Sequence, residues 1–232
     1  MNQIDIAEKL YRNFQYQKAK DVLLIEREKE RENIRILNLL SKVDINLNNF
    51  ELAKIYLDEA LQINNKNGIT HAILACYFRK TNKLLENARE VEIAYSLDKE
   101  SPEVIYEYAL SKNITNQGIE GIKVLKEYLS RHPDDFSMTY LLVIFSLKQK
   151  QNDDVFHYLK DLLRLKRDLK TILLYIVFST IALMNIGWVR VLTVCFYFFV
   201  IFELLFKGEI VYILVIVITL LFLIIKKAYL HL

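Results

Sequence analysis

Apolar residues recur at helical spacing through most of the chain, in short segments that are separated by polar turns. In residues 48–67, NNFELAKIYLDEALQINNKN, large apolar side chains run from Leu52 to Leu61 with the spacing of a helix face. Ala53 and Ala60 lie seven residues apart, which places them on nearly the same face of the helix. A small residue at a buried helix position indicates that a second backbone comes close, so the pattern predicts tightly packed helices.

The same pattern repeats every 34 residues without an insertion. Each unit is predicted to contain two helices, A and then B, which are joined by a short polar turn. Residues 1–33 fit the register with the first position missing, and the full units are 34–67, 68–101, 102–135 and 136–169. Ser101 before Pro102 predicts a capped helix start in the fourth unit.

The small and apolar positions of these units resemble those of the tetratricopeptide repeat (TPR) family. The second unit supplies Leu37, Leu40, Ser41, Asp44, Ala53, Leu57 and Ala60, and the fourth unit has Pro133 at the family's usual proline position. Four residues depart from the pattern because they are polar at packing positions: Glu26, Asp44, Asn87 and Lys112. The resemblance covers residues 1–169 and implies an all-α helical-hairpin solenoid of about five repeats.

Composition supports this interpretation and excludes several functions. The whole chain has 5 Gly and 2 Pro, as expected of a helical protein with few turns. A formal net charge of +3 gives no reason to expect a nucleic-acid partner. Cys76 and Cys195 lie far apart and are interpreted as buried thiols in a reducing compartment.

The remainder of the chain, residues 170–232, is predicted to be a transmembrane region because charged residues almost vanish there. Polar interruptions divide it into three apolar runs of near-spanning length, at about 171–188, 190–206 and 210–226. An alternative has two spans, with the middle run in the interface because it is the shortest and carries Glu203. No Gly or Pro occurs between Pro133 and Gly187, so the last helix of the solenoid is expected to run almost directly into the first span.

Basic residues before the first run indicate the orientation. Arg164, Lys166, Arg167 and Lys170 are predicted to lie at the cytoplasmic face and to contact anionic lipid headgroups. The N-terminus, MNQIDIAEKLYRN, lacks the apolar core of a secretory signal. Abundant Ile, Lys and Asn are typical of an AT-rich genome, so the chain is expected to be an integral protein of a bacterial inner membrane with a cytoplasmic solenoid.

Motifs of catalytic or metal sites are missing from the sequence. The four His residues show no paired spacing, and there is no CxxC pair, phosphate loop or nucleophile elbow. No enzyme activity, cofactor or metal is therefore predicted. Glu203 is an acid within an apolar run, but it lies four residues before Lys207, and pairing between them explains it without an ion pathway.

The TPR resemblance implies that the inner face of each helix A lines a concave groove that binds a peptide or a helix. By register, the groove is expected to contain Asn38, Lys42, Asn46, Ile73, Arg79, Lys80, Glu103, Tyr106, Glu107, Asn113 and Tyr140. Some family members hold a carboxylate with Lys, Asn and Arg, but here Glu103 and Glu107 stand at two of the basic positions. This exchange predicts a partner that presents a basic segment to the two acids.

The sequence as a whole predicts a membrane-anchored scaffold or adaptor that binds a protein partner in the groove. The alternative is an accessory subunit of an integral membrane complex whose transmembrane helices make the main contacts. The two hypotheses differ in whether binding survives truncation at about Leu169. Neither the partner nor the oligomeric state follows from the sequence.

Overall fold

Helix pairs follow one another along the chain, as the apolar spacing predicts. The computed structural model describes residues 2–166 and 168–185. Within these ranges it contains eleven helices, with the following bounds: α1 Gln3–Arg12, α2 Tyr16–Lys29, α3 Ile34–Asn46, α4 Phe50–Ile63, α5 Gly68–Lys80, α6 Leu84–Leu97, α7 Pro102–Ile114, α8 Gly118–Arg131, α9 Phe136–Lys148, α10 Asn152–Leu165 and α11 Leu169–Asn185. The first ten helices form the five predicted A–B pairs.

The 34-residue register is visible in the backbone of the turns between helix A and helix B. One residue with a left-handed conformation occurs in each turn, at φ between 57° and 61°: Phe14, Asn48, Asn82, Asn116 and Lys150. Each is 34 residues from the next. Asn tolerates this conformation better than most residues, which explains its use in three of the five turns. The predicted repeat is therefore confirmed by a geometric feature of the backbone.

The helix A starts repeat with the same spacing. Asn33, Asn67 and Asp135 each precede a helix and accept backbone N–H groups through their side chains. Ser101 occupies the equivalent place before Pro102, but its hydroxyl makes no capping bond and instead lies 3.3 Å from Glu103 Oε2. The predicted start is correct, and proline at the first helical position supports it.

Small residues lie where helices approach closely, as the alanine positions predict. Ala53 and Ala60 are completely buried. In the fourth unit the position equivalent to Ala53 is Gly121, where an added Cβ would lie 3.0 Å from the carbonyl oxygen of Ala109. The A and B helices of one unit are therefore in near-backbone contact, and each pair packs against the next in a continuous core.

A short break in the helical backbone follows the fifth repeat. Helix α10 stops at Leu165, because Lys166 is extended at φ −150° and ψ 112°. Asp168 Oδ1 then accepts the backbone N–H of Thr171 at 2.8 Å, so a new helix begins here. Three residues, 166–168, therefore separate α10 from α11, so the last solenoid helix does not continue into the next one without a break.

Helix α11 packs back against α10 and α9. Its buried Ala182 joins a core cluster with Val143, Leu159 and Leu162. The expected domain boundary at residue 169 thus coincides with the start of a helix that contacts the solenoid.

Most of the predicted first span, residues 171–185, lies in α11. Among the residues that the structure describes, no helix combines the length and the apolar character needed to cross a bilayer. Residues 186–188, the runs 190–206 and 210–226, and Glu203 lie outside the described residues.

Candidate functional site

The inner face of the solenoid contains a concave pocket at its N-terminal end. The pocket has a volume of about 500 Å³ and lies between α1, α3 and α5, with one residue from α7. Its lining consists of an apolar group, Tyr11, Ile34, Leu39, Ile69 and Ile73, and a polar group, Glu8, Arg12, Arg35, Asn38, Lys42, Asn67 and Glu103. The volume and the mixture of apolar and polar lining residues are typical of sites that bind small ligands or a few side chains.

Lys42 bridges the pocket from α3 to α7. Its ammonium group lies 3.3 Å from Glu103 Oε1 and 5.3 Å from the centre of the Tyr11 ring. The ion pair joins residues that are 61 positions apart and passes over the intervening helix α5. We call the Lys42–Glu103 ion pair the cross-repeat bridge. Such partly exposed ion pairs contribute little stability, so the bridge can open at low cost.

Glu103 is stabilised as a carboxylate from several sides. Burial alone raises its pKa, but attraction to Lys42 and hydrogen bonds from Lys42, Ser101 and the first turn of α7 outweigh burial and lower the pKa. Glu103 therefore stays ionised near neutral pH.

The second predicted acid, Glu107, is part of a buried ion pair. Arg79 donates from Nη2 to Glu107 Oε1 at 2.8 Å and from Nε to Oε2 at 3.1 Å. Glu107 is only 7% exposed, and this two-point geometry uses both of its oxygens. The neighbouring Cys76 thiol has its pKa raised to about 12, mainly by burial, so it is not a nucleophile. Arg79 and Glu107 therefore connect α5 to α7 and present little free charge to a ligand.

Two asparagines of the pocket lining, Asn38 and Asn67, have side-chain hydrogen-bond donors without a partner among the described residues. The Thr70 hydroxyl lies 3.0 Å from Asn38 Oδ1 and 3.1 Å from Asn67 Oδ1, and the Thr70 backbone N–H also donates to Asn67 Oδ1 at 2.9 Å. The carbonyl oxygens of both side chains are thus occupied. Their amide nitrogens donate to no atom of the described residues, so they are available to a ligand. Asn46 differs, because its amide group donates to Tyr11 at 3.0 Å.

The predicted groove residues separate into groups with different surroundings. Asn38, Lys42, Ile73 and Glu103 line the pocket. Lys80 and Tyr106 are exposed farther along the inner face, where Tyr106 is 38% exposed.

The remaining two predicted residues do not join the pocket. Asn113 has a buried Oδ1 without a described hydrogen-bond partner. Tyr140 packs against Phe178 of α11, with 6.0 Å between the ring centres. Helix α11 therefore covers part of the inner face at the fifth unit.

Sequence reasoning missed the contribution of the first unit. Glu8, Tyr11 and Arg12 line the pocket, yet no first-unit residue was among the predicted groove residues. In the 34-residue register these three residues are equivalent to Lys42, Ile45 and Asn46 of the second unit. Applying the same register to the incomplete first unit would have found them.

The predicted membrane-facing basic residues lie around the start of α11. The side chains of Arg164 and Lys166 are 64% and 60% exposed, and each lies near one acid: Asp161 at 3.8 Å and Asp168 at 2.9 Å. Lys170 is exposed, and Arg167 lies outside the described residues. In the described ranges no cluster of three His, Cys, Asp or Glu side chains is placed to hold a metal ion.

Comparison with known proteins identifies the fold. No family model matches the chain, and no curated protein matches it by sequence. The TPR protein TTC0263 of Thermus thermophilus has a TM-score of 0.67 at 13% identity, covering 76% of this chain and 97% of its own. PilW, a type IV pilus biogenesis factor, gives 0.65 at 14% identity over 92% of this chain and 96% of its own. PilF of Pseudomonas aeruginosa has a TM-score of 0.60 at 13% identity, covering 90% of this chain and 93% of its own.

At such identities the likeness establishes the fold alone. The predicted all-α TPR-type solenoid is therefore confirmed for the described repeats, on the structural likeness and on the 34-residue spacing of the turns.

Proposed function

We propose that this chain is a protein-interaction scaffold that binds a segment of a partner protein in the N-terminal pocket. The observation that carries the proposal is the pocket itself, which places half-buried Ile34 and Ile69 beside unused amide donors and the cross-repeat bridge. Apolar anchors surrounded by directional polar groups are typical of peptide and helix recognition. In this proposal the protein catalyses no reaction.

We further propose that the scaffold is attached to a membrane, in a bacterial cell the inner membrane, with the repeats in the cytoplasm. The support is the apolar sequence of the runs 190–206 and 210–226, together with the exposed basic residues Arg164, Lys166 and Lys170. In this arrangement anionic headgroups lie next to the end of the solenoid, and the pocket lies at its other end.

The predicted basic partner segment at Glu103 and Glu107 stays a prediction. Its binding requires that the existing ion pairs of these two acids be broken. A basic ligand has to displace Lys42 from Glu103, and at Glu107 it has to compete with the two-point contact of Arg79. Glu103 is the more accessible of the two, since 41% of its side chain is exposed.

The test compares two variants of the full-length chain in native membranes. Ile69→Glu places a charge in the apolar lining of the pocket, whereas Ile55→Glu makes the same change on α4, where Ile55 is 51% exposed and outside the pocket. After crosslinking, captured partners are identified by mass. We expect a partner that is lost from Ile69→Glu and retained by Ile55→Glu.

The alternative function, an accessory subunit held by its transmembrane helices, gives the opposite pattern. A partner retained by Ile69→Glu but lost when residues 186–232 are replaced by an unrelated anchor would move the main contacts into the membrane. The pocket would then have no part in recognition.

A further inference from the structure

The hydrogen-bonding groups of the pocket are unequally supplied with partners. Its two lining acids already have partners: Glu8 accepts from Arg35 at 3.0 Å, and Glu103 accepts from Lys42 at 3.3 Å. Arg35 is itself shared between Glu8 and Asp5. The acids therefore offer little to an incoming cation without breaking an existing pair.

Donors remain available in the same pocket. The side chain of Arg12 is 78% exposed and its carboxylate neighbour Glu8 is 3.9 Å away. The amide nitrogens of Asn38 and Asn67 are unused within the described residues. An occupant of this pocket is therefore expected to bring acceptors, which are carbonyl oxygens or carboxylates.

Each partner of the cross-repeat bridge has a second contact that remains when the bridge opens. If Lys42 leaves, Glu103 keeps the Ser101 hydroxyl at 3.3 Å and its place in the first turn of α7. When the contact with Glu103 is lost, the Lys42 ammonium group still has the Tyr11 ring as a neighbour, 5.3 Å from the ring centre. An incoming carboxylate thus meets a lysine that is already positioned over the pocket, while Glu103 remains stabilised.

We infer that the cross-repeat bridge is an internal latch, which opens when a partner segment inserts a bulky apolar side chain between Ile34 and Ile69 and presents an adjacent Asp or Glu carboxylate to Lys42. This inference rests on the proposed function and names the chemistry of its ligand. Glu103 acts as an intramolecular competitor for Lys42, so the latch lowers the affinity of the pocket for a ligand carboxylate, which has to displace Glu103 from Lys42. A neutral apolar segment fills the pocket without this exchange.

The experiment uses a phage-displayed library of random peptides against the full-length chain held in lipid nanodiscs. Selection is carried out on the wild type, with counter-selection on Ile69→Glu so that only pocket-dependent peptides are kept. We expect the enriched peptides to pair a large apolar residue with Asp or Glu at a fixed spacing. Their synthetic forms are then titrated against Lys42→Met, Glu103→Gln and Lys123→Met.

The sign of the Glu103→Gln effect decides between ligand charges. An acidic peptide should bind Glu103→Gln several-fold more tightly than wild type, because its competitor for Lys42 is gone. Lys42→Met should weaken the same peptide about tenfold or more, the expected loss of a charge-assisted hydrogen bond. Lys123→Met, at an exposed lysine of α8 outside the pocket lining and the predicted groove, should leave affinity unchanged and serves as the control for general charge effects.

Each contrary result has its own meaning. Enriched peptides rich in Lys or Arg, with weaker binding to Glu103→Gln, would overturn the latch inference and support the predicted basic ligand. Pocket-dependent peptides without a charge preference would overturn the latch alone. If no selected peptide depends on Ile69, the proposed pocket function fails, and the latch fails with it.

Discussion

In the third and fourth repeat units, the twentieth position lies against the backbone carbonyl of the eighth position of the same unit. Asn87 occupies it in the third unit, where its Nδ2 donates to the Ala75 carbonyl at 2.8 Å although the side chain is 1% exposed. Gly121 occupies it in the fourth, with the Ala109 carbonyl at 3.0 Å from an added Cβ. Asparagine can replace the usual alanine because its amide group fits between the helices and donates a hydrogen bond to the buried carbonyl.

Asp44 is a second polar residue at a packing position, and its partners explain it. The carboxylate is completely buried and accepts from Lys20 at 2.6 Å and from Asn49 at 2.9 Å. Lys112 follows the same rule, since it pairs with Glu92 at 2.8 Å and Glu120 at 3.2 Å. These departures from the repeat pattern are therefore paired polar contacts between helices.

The buried Lys20–Asp44 ion pair predicts that a substitution of Lys20 strongly lowers the stability of the fold. Lys20→Met leaves the Asp44 carboxylate buried without its cation, which should lower the free energy of unfolding by about 3–5 kcal/mol. The double variant Lys20→Met/Asp44→Leu removes both charges and should recover most of this loss. Urea unfolding of the purified full-length chain measures both. A double variant no more stable than the single one would show that the pair is not the cause.

His71 predicts a pH-dependent stability. Its Nδ1 lies 2.7 Å from Glu90 Oε2 and its Nε2 lies 2.9 Å from the Asn65 carbonyl, and only the imidazolium donates at both nitrogens. The Glu90 hydrogen bond is the main reason that its pKa is raised above 6.5, although burial opposes the shift. The resulting stabilisation is complete below about pH 6.5 and is lost as pH rises through the raised folded-state pKa.

We therefore expect His71→Gln to lower Tm more at about pH 6 than at about pH 8.5. Thermal unfolding followed by circular dichroism at both pH values is the measurement. His157→Gln is the matched control, because the His157 side chain on α10 is 70% exposed. It should leave Tm unchanged at both pH values. An equal loss of Tm at both pH values for His71→Gln would exclude the charged form as the source of the stabilisation.

At the scale of the helix, α11 is where hydropathy and packing give different answers. Its side chains are apolar on both faces: Ala182 is completely buried against the fifth unit, while Ile172 and Leu173 are 44% and 53% exposed. A helix that is apolar all round is typical of a membrane span and of a helix packed in a large core. The sequence pattern alone therefore could not assign α11 to the solenoid.

The packing of α11 can be tested at its buried face. Ala182→Leu should overpack the cluster with Val143 and Leu162 and lower the free energy of unfolding by about 1–3 kcal/mol. Leu173→Ala on the exposed side of the same helix should change it by less than about 0.5 kcal/mol. Urea unfolding of the full-length chain compares the two. A neutral Ala182→Leu would mean that α11 does not pack on the repeats.

The parts of the fold that were predicted from sequence are those that depend on local spacing. The turns, helix starts and small packing positions recur every 34 residues, and each is determined by contacts within one unit or between neighbours. The candidate site depended on longer distances. Lys42 and Glu103 are separated by a whole repeat, and their contact follows from the curvature of the array, which the register does not contain.

At the scale of the molecule, the inner face is divided unequally between its two ends. The open pocket lies at the first three units, whereas α11 contacts Tyr140 at the fifth. The cross-repeat bridge belongs to the pocket and connects units two and four, and the Arg79–Glu107 pair connects units three and four. The proposed partner site and the proposed membrane attachment therefore lie at opposite ends of the solenoid.

The assignment of α11 to the solenoid also changes the predicted topology of the membrane region. Without residues 171–185, the sequence offers two apolar runs, 190–206 and 210–226, and an even number of crossings returns the chain to its starting side. We therefore expect a reporter fused after Leu232 to be readable only in the cytoplasm, with a reporter fused before Met1 as the matched control for the side of the repeats. A C-terminal reporter readable only outside would require an odd number of spans and would contradict this two-span topology.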